Sequence, residues 1–362
     1  MKHTSKITQL TSLRYIAALM VFVSHLNWDN SSVHVQSIFE QGYLGVSFFF
    51  VLSGFVLSYS YGERLRTGLV GFKEYILLRV ARLSPLHFLT ALPFIFLGLY
   101  KESLDYVAVF TNLMYLQSWI PSSEYYFSLN APSWSLSNEM FFYIAFTLFV
   151  GFGLKKLAAI TFGLFIVVFM FAFFVATFTS PDLVISGSNT FTHWLFYIFP
   201  GFRVLEFLVG MMLFQLFNKG FLLSDKLLLP SYILLITAMY FGGGVPESYR
   251  MSLYYLPFIS FFLYCHLNLG RTATAVLSNK SFTLLGEASF AFYLIHQPIL
   301  IALKAIFVKL SINYSDFFFF FFSLVVISML SIVIYIFYEK RAETYLKNKI
   351  KKYYSSEGIS SR

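Results

Sequence analysis

Ten stretches of this 362-residue chain stay apolar for about as long as a helix needs to cross a bilayer: 10–28, 43–61, 83–100, 135–154, 157–177, 196–217, 227–243, 251–269, 283–303 and 316–338. About 20 apolar residues in a helix traverse a hydrocarbon core roughly 30 Å thick. In that medium every backbone N–H and C=O must find its partner inside the protein, which leaves helices as the economical spanning element. The pattern therefore predicts an all-α polytopic membrane protein. Composition agrees, with 58% hydrophobic and 12% charged residues, where a soluble domain carries about 25% charged. The 47 Phe and 25 Tyr suit lipid-facing surfaces and interfacial belts.

Loop charge orients the spans, because short cytoplasmic loops collect Lys and Arg. Twenty of the 26 basic residues fall on one side: Lys2, Lys6, Arg64, Arg66, Lys73, Arg79, Arg82, Lys155, Lys156, Lys219, Lys226, Arg271, Lys280 and the seven within 340–362. The tally balances only if a weaker apolar run, 106–120, does not cross. Asn112 and Gln117 interrupt it, and it is read as a re-entrant or interfacial helix. About ten transmembrane helices follow, with both termini cytoplasmic. The basic N-terminus leads into an apolar run with no small-residue cleavage site after Trp28, so an uncleaved first helix is expected. The organisation expected is one membrane domain, 1–345, and a basic cytoplasmic tail, 346–362.

The net charge of +9 thus reports topology, with membrane lipids as neighbours and no nucleic-acid partner. Cys265 is the only cysteine, so neither an internal disulfide nor a thiol cluster can form. No Cys/His/carboxylate spacing suggests a metal.

Ionisable residues inside spans are expensive and mark function by default. The candidates are Arg14, His25, Glu139, Arg203, Glu206, Glu287 and His296. Arg14 and His25 are eleven residues apart, about three helical turns and 16 Å, so they share one face of the first helix. They form one wall of a groove, or else Arg14 snorkels to lipid phosphate and His25 bonds a neighbouring helix. Arg79 and Arg82 share a face at the cytoplasmic end of the third span, as phosphate-binding forks or as ordinary positive-inside anchors. His87, in the same span, reads as a satisfied interior histidine.

The segment Asn130–Tyr143 enters the next span from the side opposite the basic loops. There Ser135, Ser137 and Glu139 serve a substrate, or Ser133 to Ser137 cap the helix and Glu139 sits favourably at its N-terminus. Arg203 and Glu206 share a face and can neutralise one another. Glu287 and His296, nine residues apart, point to opposite faces and are not a dyad.

Six segments together resemble the membrane acyltransferases of acyltransferase family three, which include O-acetyltransferases of O-antigen, exopolysaccharide and peptidoglycan. They are LTSLRYIAALMVFVSHL (9–25), LGVSFFFVLSGF (44–55), RVAR with LSPLHF (79–88), WSLSNEMFFY (134–143), FRVLEFLVGM (202–211) and LGEASFAFYLIH (285–296). The resemblance implies a bacterial inner-membrane enzyme with acyl-CoA, usually acetyl-CoA, as donor and no metal. It implies essential roles for Arg14 and His25, and cofactor binding by Arg79, Arg82 and Arg14. The carry-over to Glu139 as a catalytic group is looser, and Trp134, Ser135 and Ser137 are expected near the substrate. Asn138 and Arg341 depart from the family pattern, and nothing is assigned to the tail. An appended SGNH-type domain, which many relatives carry, is not expected.

The chemistry expected is transfer from the thioester to a hydroxyl of a glycan or lipid-linked saccharide. His25 is general base or acyl carrier, and Glu139 and Ser135 lie on the acceptor side. The rival readings are a secondary transporter or flippase, since intramembrane Arg, His and Glu also mark substrate pathways, and a non-catalytic assembly subunit.

Overall fold

The computed structural model describes residues 8–28, 31–178, 184–186, 189–267 and 277–356; Lys2, Lys6, Arg271 and Arg362 lie outside them. The helices of eight or more residues among the described residues are α1 (Thr8–Ser24), α2 (Leu44–Arg66), α3 (Phe72–Tyr100), α4 (Tyr106–Leu113), α5 (Trp134–Phe149), α6 (Leu154–Phe178), α7 (Pro200–Asn218), α8 (Leu228–Gly242), α9 (Leu256–Cys265), α10 (Lys280–Glu287), α11 (Ser289–Lys309), α12 (Asp316–Ile334) and α13 (Lys340–Ser356). A two-stranded antiparallel strip, Val184–Ser186 with Asn189–Thr190, is the only sheet among the described residues.

Six helical stretches among the described residues are long and apolar enough to cross a membrane: Val33–Arg66, Phe72–Tyr100, Leu154–Phe178, Phe191–Asn218, Ser289–Lys309 and Asp316–Ser356. The chain is a multi-pass membrane protein. Other apolar runs fold as shorter helices: α1 has 17 residues, α5 has 16 and α8 has 15.

The centre of the bundle is α2 against α7. Their most apolar windows are 72% and 78% buried, against 22% for the stretches containing α6 and α12, most of whose phenylalanines are exposed. The close approach of α2 and α7 rests on two glycines. A Cβ on Gly54 would lie 2.0 Å from the Phe207 carbonyl oxygen, and one on Gly210 would lie 1.9 Å from that of Val51. In lipid, where burying apolar surface drives little association, such small-residue contacts let dispersion and polar bonds hold helices together. At the same interface Arg203 and Glu206, 0% and 1% exposed, pair at 3.0 Å. Arg203 also donates to the Ser47 hydroxyl at 3.1 Å and lies over the rings of Phe50 and Tyr197.

Between α3 and α5 the chain takes an irregular path. The eight-residue α4 is followed by a turn and a short 3-10 turn at Gln117–Trp119. Its backbone groups are met by side chains, as irregular structure inside a membrane requires. Asn112 donates to Ser128 O at 2.8 Å, Gln117 to Ser133 O at 3.0 Å, Ser118 to Trp134 O at 2.7 Å, and Asn130 to Leu294 O at 2.9 Å. His87, fully buried, donates to Asn112 O at 3.1 Å. Asn138, which departs from the family pattern, donates to Ile198 O at 3.0 Å. The carbonyl of Phe196, four residues before Pro200 and so without its helical N–H partner, accepts from Ser252.

Of the segment 346–362, read from the sequence as a tail, residues 346–356 lie in α13. Asp316–Ser356 is one continuous helical stretch, with a π-segment at Tyr335–Glu339, and α13 packs against α3. Residues 357–362 lie outside the described set.

Candidate functional site

Four of the charged side chains picked out in the sequence line one cavity: Arg14 from α1, Arg79 and Arg82 from α3, and Glu139 from α5. The cavity encloses about 850 Å³ counting its open mouth. Ser135, Tyr143 and Tyr293 supply hydroxyls, and Phe49 and Phe50 form an apolar wall.

Each side chain is held differently. Arg79 donates to the Tyr61 hydroxyl at 2.6 Å and lies 4.5 Å from that ring's centroid. Arg82 is gripped by Glu339 and by Glu343, the latter at 3.1 Å. Glu139 accepts from Tyr143 at 2.8 Å, and its electrostatic neighbours are Arg82, Arg14 and Arg79. Arg14 makes no hydrogen bond or ion pair among the described residues. With Arg82 already paired to Glu339 and Glu343, Arg14 and Arg79 are the two cations left to face the single carboxylate of Glu139 in the lining, an arrangement that receives an anion.

The structure moves Glu139 and Ser135 from where the sequence reading put them. They were expected on the side opposite the basic loops, yet they share a cavity with the arginines of the basic side. The irregular segment before α5, pinned through Asn112, Gln117 and Asn130, sets where the 16-residue helix begins. Ser137 and Trp134 do not line this cavity. Ser137 is buried and donates to Tyr115 O at 2.6 Å, and Trp134 packs on Phe50 and Tyr197.

His25 also lies outside the cavity lining. It sits in the turn after α1, exposed, with Nδ1 2.8 Å from Val21 O. Arg14 and His25 therefore do not form one open groove. A second imidazole stands beside His25: the ring of His296 is 5.0 Å away, edge to face. His296 is fully buried, with Nδ1 2.6 Å from Tyr293 O. A carbonyl oxygen can only accept, so both rings carry their hydrogen on Nδ1 and a lone pair on Nε2. The Nε2 of His296 meets no donor among the described residues. Tyr293 joins the two regions, since its hydroxyl donates to Pro132 O at 3.0 Å and lies 2.9 Å from the Ser135 hydroxyl on the cavity side. From Arg14 the line runs through the cavity to Tyr293, His296 and His25.

Sequence reasoning missed several of these groups. Tyr143 is four residues after Glu139 and so on its face, and Tyr293 precedes His296 by three in a quoted motif; helical spacing was the available signal. The pairing of His296 with His25 joins distant segments and carries no local signal. Nor was Glu339 legible, because a π-segment breaks the 3.6-residue period that assigns a face. Glu287 accepts from Tyr335 at 3.0 Å, away from His25.

Comparison with known proteins adds an independent finding. The family described as "Acyltransferase domain" matches residues 7–337. Acyltransferase MdmB of Streptomyces mycarofaciens is 27% identical over 311 residues, 80% of this chain and 78% of that protein. The putative peptidoglycan O-acetyltransferase YrhL of Bacillus subtilis is 25% identical, covering 83% of this chain and 49% of its own length. O-acetyltransferase OatA of Staphylococcus aureus is 24% identical, covering 83% and 51%. The chain thus spans about half the length of the last two. No solved structure matches.

Proposed function

The chain belongs to the Acyltransferase domain family and so is an acyltransferase for groups other than aminoacyl groups; from that premise we propose that it moves an acetyl or similar acyl group from acyl-CoA to a hydroxyl of a cell-surface or lipid-linked saccharide. The observation that carries the reading is the arginine-lined cavity whose Tyr293 lies in ring contact with His296, and through it with His25. The names of two relatives, both O-acetyltransferases and one of peptidoglycan, favour a saccharide acceptor. Family membership leaves the transporter reading without support. The setting proposed is the bacterial cytoplasmic membrane, with ten crossings and both termini cytoplasmic.

In this mechanism the donor's phosphates rest on Arg14 and Arg79, as forked guanidinium donors suit phosphate oxygens. Arg82 joins them to the extent that Glu339 and Glu343 release it. The acyl-pantetheine arm runs along Phe49 and Phe50 past Tyr293. Nε2 of His25 takes the proton of the acceptor hydroxyl as its oxygen attacks the thioester carbon. The C–O bond forms, the C–S bond breaks, and the imidazolium returns the proton to the leaving thiolate. Glu139, bonded to Tyr143, balances the arginines and orients the cavity hydroxyls. The covalent variant, in which His25 is itself acylated first, uses the same residues and differs by a trappable acyl-histidine.

The test is O-acyl content of surface polysaccharide, read by NMR in a deletion strain complemented with wild type, His25→Ala or Arg14→Ala at matched membrane levels. Restoration by wild type alone is expected; full restoration by His25→Ala would overturn the mechanism.

A further inference from the structure

Beside His25, away from the arginines, lies a second cavity of about 720 Å³ counting its open mouth, lined by Asn27, Lys304, Tyr314 and Asp316. These residues come from the turn after α1, from α11, from the loop that follows it and from the first turn of α12, so the fold assembles them from four places. Asn27 is two residues from His25, and the charge of Lys304 bears on the His25 ring. The lining of the cavity therefore begins at Leu26, the residue after His25, whereas Tyr293 is itself part of the lining of the arginine cavity.

Its chemistry is unlike that of the first cavity. Lys304 and Asp316 both line it without pairing to each other or to any described residue. Asp316 Oδ2 is buried and meets no donor among the described residues. Capping does not occupy Asp316, because Ser315 accepts from the Phe318 N–H at 3.2 Å and fills that role. Tyr314 stacks on Phe319, with ring centroids 4.9 Å apart and planes 27° apart, and remains 38% exposed. An aromatic face, an acceptor-only carboxylate, an amide and an ammonium are the groups that take up a ring bearing several hydroxyls. The ring's C–H face lies on the aromatic plane, and its hydroxyls divide between donors and acceptors. A phosphate-bearing ligand fits less well, because Asp316 would face it with like charge.

We infer that this cavity is the acceptor subsite, in which a polyhydroxylated saccharide stacks on Tyr314, bonds to Asp316, Asn27 and Lys304, and presents one hydroxyl to His25. The inference rests on the acyltransferase reading and adds where the acceptor sits. The two substrates then reach the histidine pair from opposite ends, the donor through the arginines and the saccharide through the Asp316 pocket.

The experiment uses the full chain in detergent with acetyl-CoA. Thiol release is followed against the concentration of de-O-acylated surface polysaccharide from a deletion strain. Lys304→Met and Asp316→Ala should each raise the half-saturating polysaccharide concentration by about tenfold, the effect of one lost charged hydrogen bond. Half-saturation by acetyl-CoA should stay within about twofold, since a defect confined to one substrate moves one constant. Asp316→Asn, which still accepts through its amide oxygen, should retain most of the affinity. Wild-type half-saturation in both Lys304→Met and Asp316→Ala, with unchanged melting temperature, overturns the inference. Absence of thiol release from wild type counts against the acyltransferase reading alone. Direct binding of the polysaccharide without donor then decides the pocket. Binding lost in Asp316→Ala and kept in Asp316→Asn supports it. No wild-type binding, equal binding in all forms, or displacement only by anionic lipid vesicles overturns it.

Discussion

Arg203 with Glu206 and Arg14 with Glu139 are both intramembrane arginine–glutamate sets, yet the fold treats them oppositely. The first is matched one to one, 0% and 1% exposed, and sealed where Gly54 and Gly210 bring two helix backbones together. The second lines an open cavity in which Arg82 is held by Glu339 and Glu343, while Arg14 and Arg79 share the one carboxylate of Glu139 and Arg14 is bonded to no described residue. A charge in a membrane is tolerable if a partner neutralises it or if water or a ligand reaches it. The matched set is a fastener for α2 and α7, whereas the unmatched one is a receptor.

Four measurements break or sharpen that contrast. Arg203→Met leaves Glu206 buried without its cation and should lower stability by about 3–5 kcal/mol, seen as loss of protein from the membrane. The double change with Glu206→Leu should recover much of it, and a single variant at wild-type abundance would refute the fastener role. Arg14→Ala should leave abundance and melting unchanged while lowering kcat/KM for acyl-CoA on the order of 10²-fold, the effect of one preorganised charged contact. Equal loss of abundance there would make Arg14 structural as well.

Glu339→Gln weakens the hold on Arg82 and should lower the half-saturating acyl-CoA concentration by about threefold, a fraction of one charged hydrogen bond. A rise instead would mean that Glu339 positions Arg82 for the donor. The smallest effect belongs to a surface pair, His193 with Glu247 at 2.9 Å. Burial pushes Glu247 up, but the His193 hydrogen bond and charge, with Arg250, outweigh it and hold the carboxyl below its ordinary 4.5. A carboxyl depressed in the folded state stabilises above its unfolded value, and that stability is lost as pH falls through the folded value. His193→Ala should therefore flatten the acid limb of the melting profile below about pH 4.5 by at most about 1 kcal/mol. An unchanged acid limb would show that the pair contributes nothing.

Much of this protein was legible in the sequence because its signals are local. Runs of apolar residues must be helices in lipid, and the polar letters within them, Arg14, Arg79, Arg82, Glu139 and Ser135, stand out against the apolar background. The six motifs in order brought the family with them. What the sequence could not supply was depth and partnership. The level at which α5 begins depends on how an irregular segment is pinned by Asn112, Gln117 and Asn130, so Glu139 faces the arginines. The π-segment turns Glu339 inward to Arg82, and His296 meets His25 only when α11 packs on α1. Composition and periodicity determine that a segment is a helix and which residues it would bury; which buried group meets which is decided by helix packing between segments hundreds of residues apart, where close approach of backbones and satisfaction of each polar atom select one arrangement.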